Sequence, residues 1–312
     1  MYLDATAFSA QAYFDIVLGR RKNHFTLSRI GTESMPTMHF LKTVRLLRER
    51  LVLADEQAKV SDPTILVVLI FATHAHILGE HETAMHHMEG LKKMVDLRGG
   101  IVAFKKNSKL VIELLRCDIG IAFHSGSKPL FTFPDGAFAD ASFMPDLCPS
   151  PYPQPTTSTF STKTPTTQNT LETLLATRID RHISTVWRTM RTFCKQINIA
   201  AQTQSKLPQE LFLHSMASVM YPILNLRFSS GSLDEALRLG LLAFSSNIFL
   251  QWQDARLPCM YFPTAYRSCL ELDLEFSWDR HDKSSLSSAS SSCVGQALDQ
   301  VEYRFMYDQV VE

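Results

Sequence analysis

The chain has 312 residues, 45% of them hydrophobic and 20% charged, which is enough apolar material for a packed core and too much for a disordered polypeptide over most of its length. Lysine plus arginine number 31 and aspartate plus glutamate 31, so the formal net charge is zero. A protein that grips nucleic acid through its phosphates ordinarily carries a basic surplus, and the balance argues against that class.

The six cysteines (Cys117, Cys148, Cys194, Cys259, Cys269 and Cys293) are too widely spaced for a zinc knuckle or a CxxC redox pair. They read as free thiols. The first ten residues lack the basic start and apolar block of a signal peptide. Two apolar stretches of about 17 residues, 63–79 and 239–255, are short for a membrane span. They contain His74 and His76 in one case and Asn247, Gln251 and Asp254 in the other, and they read as core helices. No membrane association is expected.

Residues 37–53 place Met38, Leu41, Val44, Leu47 and Leu51 on one stripe with Lys42, Arg45, Arg48 and Glu49 mostly opposite, predicting an amphipathic helix with a basic solvated face. Asp62-Pro63 predicts a helix start with Asp62 as N-cap. The apolar run that follows predicts a buried helix. Its β-branched residues 65–70 would suit a strand, but no partner strand is visible nearby. In residues 80–98, Ala84, Met88, Leu91 and Val95 form a helical stripe that Gly99 and Gly100 end. Leu110, Leu114, Cys117 and Ile121 mark another.

Residues 145–170 are dense in proline, threonine and serine and predict a disordered insert or linker, with Ser150-Pro151 and Thr164-Pro165 as candidate phosphorylation steps. Beyond it, Leu171, Leu175, Ile179, Ile183, Val186, Met190, Phe193 and Ile197 predict one long helix. Residues 209–228 predict a helix kinked at Pro222. Ser232 to Glu235 read as a capping box opening a helix that reaches about Trp252 and is expected to be the most buried of all, on a stripe of Leu237, Leu241, Phe244 and Ile248. Gly240 inside it, and Gly90 earlier, read as sites of close helix approach. A serine-rich loop and a short terminal helix complete the prediction. The expected fold is all-α: an N-terminal helical half (1–144), the insert (145–170), a C-terminal helical half (171–278), the loop (279–292) and a final helix (293–312).

The densest polar group is His74, His76, His81, His86 and His87 with Glu80 and Glu82. A zinc-protease helix needs His-Glu-x-x-His. Here Met85 occupies the second histidine's place, and His86 lies about 140° round the helix from His81. The histidines therefore read as hydrogen-bonded or surface residues. No phosphate-cradling glycine loop and no G-x-S-x-G elbow occurs. The basic stretch from Arg20 to Arg50, eight cations against Glu33 and Glu49, reads as a solvated face. No catalytic, cofactor-binding or metal residue is assigned, and no enzyme activity or cofactor is expected.

Five segments taken together resemble one family: Asp4 to Phe8 with Ala12 to Gly19; Asp62 to Leu66; His81 to Gly100; Arg116 to Phe131; and Glu235 to Phe244 with Ile248 to Leu250. In this order they are similar to the fungal-specific transcription factor domain, the helical regulatory region that follows a binuclear zinc cluster in fungal regulators. The similarity spans about residues 4–270. The family's six-cysteine DNA-binding module has no counterpart here, since the first cysteine is Cys117. The resemblance implies a nuclear regulator of transcription acting through protein partners, a homodimer or a small-molecule effector, without DNA contact of its own. The alternative is a helical small-molecule-binding or interaction scaffold. In the matching segments Gly99 and Gly100 are expected to end a helix, Glu235 to cap one, and Arg238 to pair with Asp234. After the Glu235 helix the chain departs from the family pattern at Glu271 to Asp279, as expected of a shortened C-terminus or of an error in the gene's reading there.

Overall fold

The computed structural model describes residues 1, 3–8, 10, 35–52, 55–104, 106–131, 178–250 and 261–273. Of this part 82% is helical and none is strand, which establishes the all-α class. The insert at 145–170, the serine-rich loop at 279–292 and the terminal helix at 293–312 lie outside the described residues. The chain divides into two compact units, Met1–Thr132 with Asn247–Tyr261, and Phe133–Ser246 with Phe262–Glu312.

The first unit contains α1 (Met35–Val52), the short α2 (Glu56–Lys59), α3 (Asp62–Leu78), α4 (His81–Leu97), a 3-10 turn (Ile101–Phe104) and α5 (Ser108–Ser125). α3 buries Ile65, Val67, Val68, Leu69, Phe71, Ala72 and Ala75 over more than half of its circumference, and the opposite face (Leu66, Ile70, Thr73, His74, Ile77) is half-buried. The start is one residue earlier than expected: Ser61 is the N-cap in extended backbone, and Asp62 is already helical. Gly79 ends α3 at φ 82°, the left-handed conformation glycine adopts at least cost. Glu56–Leu78 taken as one piece is long and apolar enough to cross a membrane by length and composition. A turn at Val60 and Ser61 interrupts it, and half of the apolar window is buried within the protein.

α4 is amphipathic as read: Ala84, Met88, Leu91 and Val95 are fully buried. Its end is the expected double glycine, Gly99 at φ 108° and Gly100 at φ 81°. α5 buries Leu110, Leu114, Cys117 and Ile121 as expected, and Val111, Ile112, Leu115 and Ile119 besides.

α1 is a correction. The helix is there, but Met38 and Leu41 are exposed, and the inward positions are Thr43 and Leu47. The neighbouring Phe40 ring lies 5.1 Å from Phe8 and 5.4 Å from Phe71. Aromatic packing against a residue far away in sequence rotates the helix away from its most obvious aliphatic stripe. Gly90 is a second correction, because a Cβ there would meet nothing within 4 Å. At Gly126, by contrast, φ is +74° and a Cβ would run into the Tyr261 ring.

The second unit contains α6 (Arg181–Thr203), α7 (Gln209–Asn225), the greater part of α8 (Leu233–Phe249) and nearly all of α9 (Tyr261–Asp273). α6 buries Ile183, Val186, Met190, Phe193 and Ile197, the C-terminal part of the predicted stripe. It begins later than expected because Asp180 is its N-cap, accepting from the His182 N–H at 2.8 Å. The Asp180 N–H in turn donates to the Asp234 carboxylate at 2.9 Å. Leu171 and Leu175 lie outside the described residues.

The most buried helix is α7, not α8: residues 211–217 and 219–224 are all buried. In α8 the expected stripe holds only in part. Leu241 and Ile248 are buried, but Leu237 and Phe244 are half-buried, and the buried face extends round to Arg238, Leu239, Leu242, Ser245 and Phe249. The reason is a buried ion pair, described below, that turns one charged face of α8 inward. Gly240 has nothing within 4 Å of a built Cβ, so close helix approach does not explain it.

Candidate functional site

The five clustered histidines are divided by the helices that carry them. The His74 ring packs tilted against Phe8 at 4.6 Å, and His87 lies 5.9 Å from Phe71. His86, Glu80 and Glu82 are exposed. His76, in the last turn of α3, faces away from these, towards His81 at the start of α4. The two rings are 6.1 Å apart.

A third imidazole completes the group. His124, in the last turn of α5, places its Nδ1 2.9 Å from His76 Nε2. One nitrogen must donate and the other accept, so the pair needs complementary tautomers. His76 and His124 are 1% and 7% exposed. Burial, then the neighbouring His124 and His81, push the His76 pKa down to about 3. Burial lowers that of His124 to about 4, against an opposing hydrogen bond with the Gly120 backbone and with a further lowering from His81. Both are neutral at pH 7. Among the described residues, no three His, Cys, Asp or Glu side chains are grouped to hold a metal ion. His124 was not legible as a partner of His76, since 48 residues separate them and no periodicity links different helices.

Several polar residues of the resembling segments act as structural clamps. Arg98 donates to the Asp62 carboxylate and to the Val60 carbonyl, and its guanidinium sits 4.2 Å over the Phe104 ring. Asn107 donates to Asp62 at 2.9 Å and caps α5 by accepting from the Leu110 N–H. Burial raises the Asp62 pKa, but the hydrogen bonds from Asn107 and Arg98 outweigh it and hold the group below its ordinary value. Asp118, buried in α5, accepts from the backbone N–H of Leu130 at 2.8 Å and of Phe131 at 3.1 Å, tying down the segment that leaves that helix.

In the second unit Glu235 and Arg238 form a buried pair one helical turn apart. Arg238, fully buried, donates to the two carboxylate oxygens at 2.8 and 2.5 Å and to the Ile223 carbonyl at 3.2 Å. This replaces the expected partnership with Asp234, which instead receives the Asp180 N–H. Only half of the capping box forms. Ser232 Oγ accepts from the Glu235 N–H, but the Glu235 carboxylate reaches Phe228 N–H and Arg238 instead of the cap.

Cys117 and Cys194 are not activated nucleophiles. Burial pushes the Cys117 thiol up to about 12, with Thr73 donating to its sulfur at 3.5 Å, and the Cys194 thiol up to about 11. Both stay protonated at neutral pH. The basic stretch is also partly spent on internal bonds. Lys42 donates to Asp4 at 2.9 Å and holds its carboxyl at about 2, Arg45 faces Glu49, and Arg50 donates to the Ala58 carbonyl and Ser61. Arg20, Arg21, Lys22 and Arg29 lie outside the described residues. A cleft of about 210 Å³ opens beside the end of α6, lined by Ile199, Lys206, Leu207 and Leu211 among others. Sites for drug-sized ligands run to about 300–1,000 Å³.

The geometry thus defines a helical protein whose buried polar groups bind its own helices together. No family model, no curated protein and no solved structure matches the chain.

Proposed function

We propose that this chain is a helical regulatory module of transcription, of the kind its resemblance to the fungal-specific transcription factor domain implies, acting in the nucleus through protein partners and not by its own hold on DNA. The single observation that carries the reading is how the polar residues of the resembling segments are used. Asp62, Arg98, Asp118, Glu235 and Arg238 are committed to clamps between backbone and side chains of the same unit. Residues of this kind specify a scaffold, and the work of a scaffold is done by what docks on its surface. The balanced net charge supports the same reading. The small size of the α6 cleft gives the small-molecule alternative no particular support.

The purified chain is expected to form no sequence-selective complex with DNA in a gel shift at physiological salt. Non-specific binding, where it occurs, runs at about 10⁻⁴–10⁻⁶ M even for dedicated DNA-binding proteins. Tight, sequence-selective retardation by the isolated chain would overturn the proposal that DNA contact is left to a partner.

A further inference from the structure

We propose that the imidazoles of His76, His81 and His124 form an acid-sensitive latch that holds the ends of α3, α4 and α5 together and releases them when it is protonated. The three side chains come from three helix termini that meet at one place: the last turn of α3, the first residue of α4 and the last turn of α5. The hydrogen bond between His76 Nε2 and His124 Nδ1 requires at least one ring to supply a lone pair. When both are imidazolium, two N–H groups point at each other, the bond is lost, and two like charges face across rings 4.9 Å apart.

The surroundings decide how strongly acid is felt. Besides the pair itself, each packed helix carries titratable groups, of which His81 acts on the pair. α3 supplies His74, which faces Phe8 on another side. α4 supplies His81 and, just before it, Glu80, whose exposed carboxylate acts on His87. α5 supplies Asp118, whose oxygens receive the Leu130 and Phe131 N–H groups. Tyr261 lies beyond, against Gly126. The carbonyl ends of α3 and α5 favour a cation there. Burial wins over them, as the pKa values of about 3 and about 4 record.

The sign follows from those values. Both folded pKa values lie below the unfolded value of about 6.5, so the unfolded chain binds protons first as the pH falls. The stability the pair contributes is fully present above about pH 6.5 and is lost progressively towards pH 4 for His124 and pH 3 for His76. Each histidine lowers the folding equilibrium by about tenfold per pH unit in that window, so the two together cost about several hundredfold between pH 7 and pH 5.

The test is hydrogen exchange of the full chain, followed in peptides from α3, α4 and α5 at pH 7 and pH 5 and corrected for the intrinsic pH dependence of exchange. Wild-type protection should fall by about several hundredfold. In the double variant His76→Gln, His124→Asn, whose amides stand in for the bonding nitrogens without titrating, it should fall far less. An equal fall in both proteins would overturn the latch. Should the variant fail to fold, NMR titration of labelled histidine in the wild type decides. Two imidazoles that stay neutral below pH 5 support the proposal, and none that does so contradicts it. Protection raised at pH 7 by one equivalent of zinc, and not in the variant, would also overturn it by making the cluster a metal centre.

Discussion

Replacing Arg238 by alanine should destabilise the second unit by about 3–5 kcal/mol, the cost of leaving a buried carboxylate without its partner. Glu235 is 8% exposed and Arg238 fully buried, so water does not reach in to replace the lost guanidinium. Two carboxylate bonds and the bond to the Ile223 carbonyl disappear at once. That loss is comparable to the total stability of many domains. The double replacement Glu235→Leu, Arg238→Met should be milder than the single one, because no uncompensated charge remains. Urea unfolding of the three proteins measures both effects. A single variant within about 1 kcal/mol of wild type would mean that the pair is solvated and does not organise α8.

The second large effect is in α7. Phe212 is 2% exposed, and its ring meets Phe193 of α6 edge-on at 6.2 Å. Phe212→Ala should cost about 3–5 kcal/mol through lost burial and the cavity left behind. Phe244→Ala in α8 should cost clearly less, because that side chain is only half-buried. Lys195→Ala, on the exposed face of α6, should stay within about 0.5 kcal/mol. Chemical denaturation followed by the α6 residue Trp187 ranks them. Phe244→Ala as the worst of the three would restore α8 as the centre of the unit.

These rankings show which parts of the fold were legible in the sequence. The α4 stripe was readable because Ala84, Met88, Leu91 and Val95 lie on one face and polar residues occupy much of the rest. The ends of α3 and α4 were readable because glycine has a physical reason to be there. In α1 and α8 the apolar residues are spread wider than the buried face, and contacts from elsewhere choose the orientation. Phe8 and Phe71 draw Phe40 inward, and the Glu235–Arg238 pair turns a charged face to the core. A scale that counts arginine as a surface residue points such a helix the wrong way. Nor does a single sequence say that His124 meets His76, because that pairing is made by the packing of α3 against α5 and not by any local spacing.

Whether this helical scaffold regulates transcription through what binds its surface is decided by tethering. The full chain is fused to an unrelated sequence-specific DNA-binding module, and a reporter downstream of that module's site is measured in a fungal nucleus. The fusion should raise or lower expression relative to the module alone. Lys195→Ala should preserve the change, and Phe212→Ala, which removes the folded scaffold, should abolish it. Reporter output indistinguishable from the module alone, with the fusion folded and present in the nucleus, would contradict a regulatory role for this scaffold.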